Sequence, residues 1–137
     1  YNCLPDSSGK YGALYRPTHM IGLELGLSVA SAAIRNEPTG SPICFNSDVA
    51  ATAKRNLKAG EMLDGEGGAC VWGKQTPAEM SLKAGYLPLG LAHHVKLKRD
   101  IAEGDRLTWD DVEIDQSDNA VKIRREMEAM FARPNEA

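Results

Sequence analysis

The chain has 137 residues, a formal net charge of −3 and a hydrophobic content of 42%. This length suits one domain with a helical arm, and the apolar fraction is large enough for a core. Acidic and basic residues are mixed along the chain, so no general attraction to nucleic acid or to an anionic membrane is expected.

Residues 1–17 are rich in Gly, Ser, Pro and Asp, which predicts a loop or linker. They carry neither the basic start nor the apolar run of a secretory signal. The odd number of cysteines, at wide spacing, favours a reduced, cytoplasmic protein. Because the chain begins at Tyr1, we expect it to continue from an upstream domain of a longer polypeptide.

Residues 18–48 are expected to form a helical arm and its connection, with a helix from Thr18 to Asn36 before Glu37-Pro38. An apolar face and an adjacent ridge of small residues cover most of this helix. The face holds Met20, Leu23, Leu27, Ala30 and Ile34, and the ridge holds Gly22, Gly26, Val29 and Ala33. A helix this apolar must be covered, so we expect it to pack against a neighbouring domain or subunit.

One stretch occurs twice, at residues 54–64 and 98–108, an offset of 98 − 54 = 44. Each copy contains Lys-Arg, a small polar residue, an aliphatic residue, Gly-acid and a late Leu. The polar residue starts a turn, and Gly60 or Gly104 permits the positive φ that reverses the chain. A duplicated unit predicts two copies packed around a pseudo-twofold core, here within residues 49–117.

Shorter signals place the remaining elements. We expect strands at 49–53, 70–72, 92–98 and 112–114, a mobile glycine-rich linker at 64–68, and a capped turn from Thr108. Thr76-Pro77-Ala78-Glu79 predicts a capping box for a helix ending at Gly85. Residues 118–137 predict a C-terminal helix and tail, capped by Asp118 or Asn119. Its expected apolar face comprises Ile123, Met127, Met130 and Phe131.

The duplicated turn resembles the SAF domain, which occurs in type III antifreeze proteins, sialic acid synthases and flagellar P-ring chaperones. From Leu14 to Glu128 the chain is similar to the C-terminal region of bacterial homoserine-dehydrogenase-like oxidoreductases. That group includes enzymes resembling 1-deoxyxylulose-5-phosphate reductoisomerase. The resemblance implies a mainly β fold with a few helices, a SAF-type β-clip with a pseudo-twofold, an apolar N-terminal helix and a C-terminal helix.

The same resemblance implies a C-terminal domain of a cytoplasmic NAD(P)-dependent oxidoreductase, which completes the substrate site, supports homo-oligomerisation, or both. NAD(P) would bind the upstream domain, since no Gly-x-Gly-x-x-Gly follows a strand here. This chain alone would not be catalytic. Two other interpretations remain: a free-standing SAF module that binds a carbohydrate or protein partner, and a sugar-acid dehydratase-type domain.

Tyr15, Arg16 and His19 are the expected contacts to an anionic, phosphorylated or carboxylated substrate, as the resemblance implies. The guanidinium of Arg16 suits such groups, and a helix N-terminus attracts anions. The alternative is that Tyr15 packs, Arg16 pairs with an acid, and His19 only neighbours a helix cap.

The four cations Lys54, Arg55, Lys98 and Arg99 could form a basic patch if the two turns meet, although solvated turns are the favoured interpretation. His93 and His94 are expected on opposite faces of a strand, one packed and one exposed. No metal site is therefore predicted.

Overall fold

The computed structural model describes residues 4–15, 17–18 and 20–132. The chain divides into two compact units, Tyr1–Ile43 and Cys44–Ala137. Helix accounts for 31% of residues and strand for 27%, with the strands in small antiparallel sheets. The chain is therefore mixed α/β, and the expectation of a mainly β protein is not confirmed.

The first unit contains a short hairpin followed by a helix. Strands β1 (Leu4–Pro5) and β2 (Gly12–Ala13) pair antiparallel within the stretch expected to be a loop. Helix α1 (Ile21–Ala30) begins three residues after the expected start and continues as a π-helical segment, Ser31–Arg35. Asn36 ends it in the left-handed conformation, at φ 54°, as the short polar side chain of Asn tolerates.

The second unit holds the remaining elements. They are β3 (Ser47–Ala53), β4 (Met62–Asp64), β5 (Val71–Pro77), α2 (Ala78–Ala84), β6 (His93–Leu97), β7 (Val112–Glu113) and α3 (Asn119–Phe131). Strands β3 and β5 pair antiparallel, and β6 lies between β4 and β7 in a second antiparallel sheet. Isolated bridges, including Thr52 to Arg106, extend the pairing beyond the named strands.

The core of this unit is built from aliphatic side chains. Its largest fully buried members are Leu57, Leu63, Leu87, Leu97, Leu107, Val71, Val112 and Val121. Four of these leucines come from the duplicated stretches or the strand residue just before the second one. The repeat therefore supplies much of the hydrophobic burial that stabilises the unit.

The two copies of the repeat lie against each other. Leu57 and Ile101, equivalent at the 44-residue offset, exchange backbone hydrogen bonds of 2.9 and 3.0 Å and are both buried. The amide of Ala59 donates to the Asp100 carboxylate at 2.8 Å. The equivalent bond, from the amide of Glu103 to the Asn56 side-chain oxygen, is 2.9 Å.

The turn glycines repeat this correspondence. The amide of Gly60 donates to the Leu97 carbonyl at 2.7 Å, and that of Gly104 donates to the Ala53 carbonyl at 2.9 Å. The two glycines have φ of 83° and 84°. Because equivalent residues make equivalent bonds to the opposite copy, the two turns are related by an approximate twofold.

Helix α2 starts differently from the prediction. Strand β5 continues through Pro77, no side-chain cap is formed, and the buried hydroxyl of Thr76 has no hydrogen-bond partner among the described residues. The expected Thr76 capping box is therefore wrong, since Thr76 remains in the β-ladder opposite Asp48. Gly85 ends the helix at φ 65°, as predicted.

Helix α3 begins at the predicted cap, because the Asp118 carboxylate accepts the amides of Ala120 and Val121. Its expected apolar face is only partly packed, since Met127 is half-buried and the ring of Phe131 lies 5.8 Å from that of Phe45. Ile123 and Met130 are exposed, whereas Val121 is the buried residue of the helix.

Candidate functional site

The predicted anion site lies only partly within the described residues. The side chain of Tyr15 is 87% exposed, so the described residues of the first unit do not pack over it. Arg16 and His19 lie outside the described residues. The helix that follows, α1, has Met20 at its N-cap position, and the Met20 side chain makes no capping hydrogen bond.

The apolar helix of the first unit presents an exposed apolar surface. Its described large apolar side chains, and that of the π-helical segment, are all exposed: Ile21, Leu25, Leu27, Val29 and Ile34. No atom lies within 4 Å of the position a side chain would occupy at Gly22 or Gly26. Packing among the described residues of the first unit therefore does not account for these glycines, although each destabilises a helix by about 1 kcal/mol relative to Ala.

The twofold places the four predicted cations on turns that contact each other, as the ion pair between Lys58 and Asp100 shows. Arg55 is paired with Glu61, and Lys54 donates to the carbonyl of Gly68. The hydrogen bond from Arg55 is the main reason that the pKa of Glu61 lies below its ordinary value.

In the second turn, Arg99 is bound to the buried carboxylate of Asp111, which also accepts the amide and hydroxyl of Thr108. This is the capped turn that the sequence predicts. Lys98 lines an open cleft of about 500 Å³ beside Trp109 and Arg125. Three of the four predicted cations therefore have partners within the chain.

The glycine-rich loop after β4, which was predicted to be a mobile linker, is held by two hydrogen bonds to the carboxylate of Asp64. The Asp64 carboxylate accepts the amides of Ala69 and Cys70 at 2.6 and 2.9 Å. The bonds from Cys70 and Ala69 lower the pKa of Asp64 to about 2. A side chain at Gly68 would approach the Asp64 carboxylate to 2.2 Å, so the loop needs glycine there.

The same loop contacts His93, which forms a pair with His94. The arrangement of these two side chains differs from the predicted one. A bulge shifts the pairing of β6 with β4, and His94 takes φ 55°. This conformation costs a non-glycine residue about 1–2 kcal/mol. As a result, both imidazoles are exposed, with ring centroids 3.9 Å apart and planes at 70°. The predicted arrangement on opposite faces, one packed and one exposed, is wrong because it assumed a regular strand.

A charged network that sequence reasoning missed joins α3 to β3. The guanidinium of Arg124 donates to both carboxylate oxygens of Asp48 and to Glu128, and Glu128 also accepts the indole N–H of Trp109. Ser81 donates to Asp48 as well. The spacing of Arg124 and Glu128, four residues apart on a helix, is the one local signal for it.

The remaining features offer little chemistry. The thiol of Cys70 is buried, and burial raises its pKa, which disfavours a reactive thiolate. Among the described helices, none has the length and apolar character needed to cross a membrane. No model of a known protein family matches the chain, and no curated protein matches it.

Proposed function

We propose that this chain is the C-terminal SAF domain of a cytoplasmic NAD(P)-dependent oxidoreductase, of the homoserine-dehydrogenase-like or reductoisomerase-like class. The upstream domain of the same polypeptide binds NAD(P), and this domain completes the substrate site and supports a homo-oligomer. Two observations support the SAF assignment. The stretch from Leu14 to Glu128 resembles the C-terminal region of these oxidoreductases, and the two turns pair through Leu57 and Ile101.

The exposed helix α1 is the observation that carries this proposal. Burying a fully exposed Leu, Ile or Val side chain is worth about 1.5–3 kcal/mol. Among the described side chains of α1 and the segment after it, five such residues are exposed: Ile21, Leu25, Leu27, Val29 and Ile34. A domain interface would recover most of that free energy, whereas a free-standing binding module would leave it unused.

The glycines of α1 support the same role. With open space beside Gly22 and Gly26, another backbone can approach the helix axis closely. The segment containing Tyr15 immediately precedes this helix. Docking of α1 on the upstream domain would therefore carry Tyr15, Arg16 and His19 towards the substrate pocket, where Arg16 binds the phosphate or carboxylate.

The test compares residues 1–137 with the full encoded polypeptide. NADPH fluorescence and calorimetry should detect cofactor binding by the full polypeptide and none by residues 1–137. Turnover would be assayed with homoserine and with 1-deoxyxylulose 5-phosphate. Micromolar NADPH binding by residues 1–137 alone contradicts the proposal, and glycan binding by them would favour the free-standing module.

Variants of the full polypeptide distinguish the docking of α1 from the substrate contact of Arg16. Leu25→Ser with Val29→Ser should lower both turnover and the Tm, because these exposed apolar side chains of α1 would no longer stabilise its docking on the upstream domain. Ile123→Ser, an equally exposed apolar position on α3, is the matched control and should change neither. Arg16→Ala should raise KM by about 10-fold or more and leave the Kd for NADPH unchanged.

A further inference from the structure

The bulge in β6 accompanies the close approach of two histidine rings. Asp64 pairs with His93 while Met62 pairs with Lys96, so β6 has one extra residue between the two pairs. His94 adopts the left-handed conformation at this bulge, and its ring lies beside the ring of His93. Asn or Gly would adopt this conformation with less strain, so a histidine held there points to a role for its side chain.

The loop after β4 is shaped to receive the other ring. A side chain at Gly65 would lie 2.5 Å from Nδ1 of His93, so only glycine leaves room for the imidazole. Nδ1 of His93 lies 3.0 Å from the backbone carbonyl of Asp64. A carbonyl can only accept, so Nδ1 carries the proton and donates, which leaves the lone pair of Nε2 free. Metal-binding histidines have this arrangement, with one ring N–H held by a carbonyl or carboxylate.

We propose that His93 and His94 form a two-imidazole site for a divalent transition-metal ion such as Zn²⁺, Cu²⁺ or Ni²⁺, the ions that imidazole favours. Two imidazoles bound to one ion with metal–nitrogen bonds of about 2.1 Å have centroids about 5 Å apart. The observed separation is 3.9 Å, so side-chain rotation must open the rings by roughly 1 Å. Both rings are exposed, which leaves the other coordination positions to water or to an external ligand.

The number of protein side chains that bind the ion determines the expected affinity for the metal. Within the described part of the chain, no group of three or more His, Cys, Asp or Glu residues is placed to hold a metal ion. The Asp64 carboxylate is already held by two backbone amides. The site is therefore an open one with two protein ligands, and micromolar affinity is expected. This proposal is independent of the oxidoreductase assignment.

The experiment is a calorimetric titration of tag-free residues 1–137 with ZnCl₂, in a Cys3→Ser, Cys44→Ser background that removes two competing thiols. We expect one ion per chain, with affinity weakened at least about 10-fold by either His93→Ala or His94→Ala. His19→Ala replaces the third histidine of the chain and is the matched control, with unchanged affinity expected. Circular dichroism verifies that each variant is folded.

A second variant separates metal binding from a purely structural role. His94→Gly removes the left-handed strain, so it should raise the Tm of the metal-free chain while weakening zinc binding as His94→Ala does. Zinc should raise the Tm of the parent chain and leave that of His94→Gly unchanged. Zinc binding as tight in the His93→Ala, His94→Ala double variant as in the parent, or no binding by the parent, overturns the proposal.

Discussion

Both terminal nitrogens of the Arg124 guanidinium donate hydrogen bonds to the Asp48 carboxylate, at 2.6 and 3.2 Å, although the two residues lie 76 positions apart. The side chain of Arg124 is 13% exposed and that of Asp48 is 6% exposed. Arg124 also stacks over the ring of Phe45, with the guanidinium carbon 5.3 Å from the ring centroid. This pair connects α3 to strand β3 in the second unit.

Replacing Arg124 with Met should destabilise the chain by about 3 kcal/mol, because the buried Asp48 carboxylate loses its charged partner. Urea unfolding followed by circular dichroism measures the loss. Lys122→Met, on the exposed side of the same helix, should change the free energy of unfolding by less than about 0.5 kcal/mol. Equal effects of the two variants would mean that the ion pair contributes nothing specific.

Acid should weaken the same connection. Burial raises the pKa of Asp48, but hydrogen bonds from Arg124 and Ser81 outweigh it and hold this pKa below the ordinary value of 3.8. A carboxyl whose pKa is lower in the folded chain stabilises it above the unfolded pKa, and this contribution is lost as pH falls through the folded pKa. Urea midpoints at pH 7 and pH 3 should therefore differ more for the parent than for Asp48→Asn. An identical pH dependence would show that Asp48 is not linked to folding.

The two turn glycines should respond alike to substitution. Gly60→Ala and Gly104→Ala should each cost about 1–2 kcal/mol, because φ of 83° and 84° disfavours any residue with a Cβ. The new methyl group meets only Lys96 at 3.7 Å in one case and nothing within 4 Å in the other, so strain and not collision sets the cost. Gly90→Ala is the control, since its surroundings are equally open and its φ is not positive. A loss at Gly90 as large as at the turns would refute this explanation.

The bonds that cross between the turns should tolerate exchange of Asp and Asn. Asp100 and Asn56 occupy equivalent positions and accept equivalent amides. Asp100→Asn should therefore keep a urea midpoint closer to the parent than Asp100→Ala does, while Asn56→Ala and Asp100→Ala should lower it similarly. Unequal losses in the two alanine variants would show that the twofold does not extend to their energetics.

Local signals in the sequence predicted several features that the structure contains. Gly85 and Asp118 cap the helices expected of them, and Thr108 with Asp111 forms the expected capped turn. Such features depend on residues within one turn of chain, so a short stretch of sequence contains the whole cause. The repeat also predicted that its two copies would pack against each other around a pseudo-twofold core, and the two copies do exchange backbone hydrogen bonds.

Other expectations failed because they treated each segment by itself. The alternation around His93 and His94 predicted a regular strand, but pairing with β4 introduced the bulge. Thr76 carried a capping pattern, yet pairing with β3 kept it in a strand. In both cases, backbone pairing with a distant segment outweighed the local preference.

The sequence by itself determined where the chain turns and where α2 ends and α3 begins, because glycine conformation and capping act over a few residues. The twofold pairing of Leu57 with Ile101, the adjacent rings of His93 and His94, and the burial of Arg124 were decided only by the tertiary structure. Each joins segments distant in sequence or depends on pairing with a distant strand. Their relative positions are set by packing and β-pairing of the whole unit, not by any local pattern.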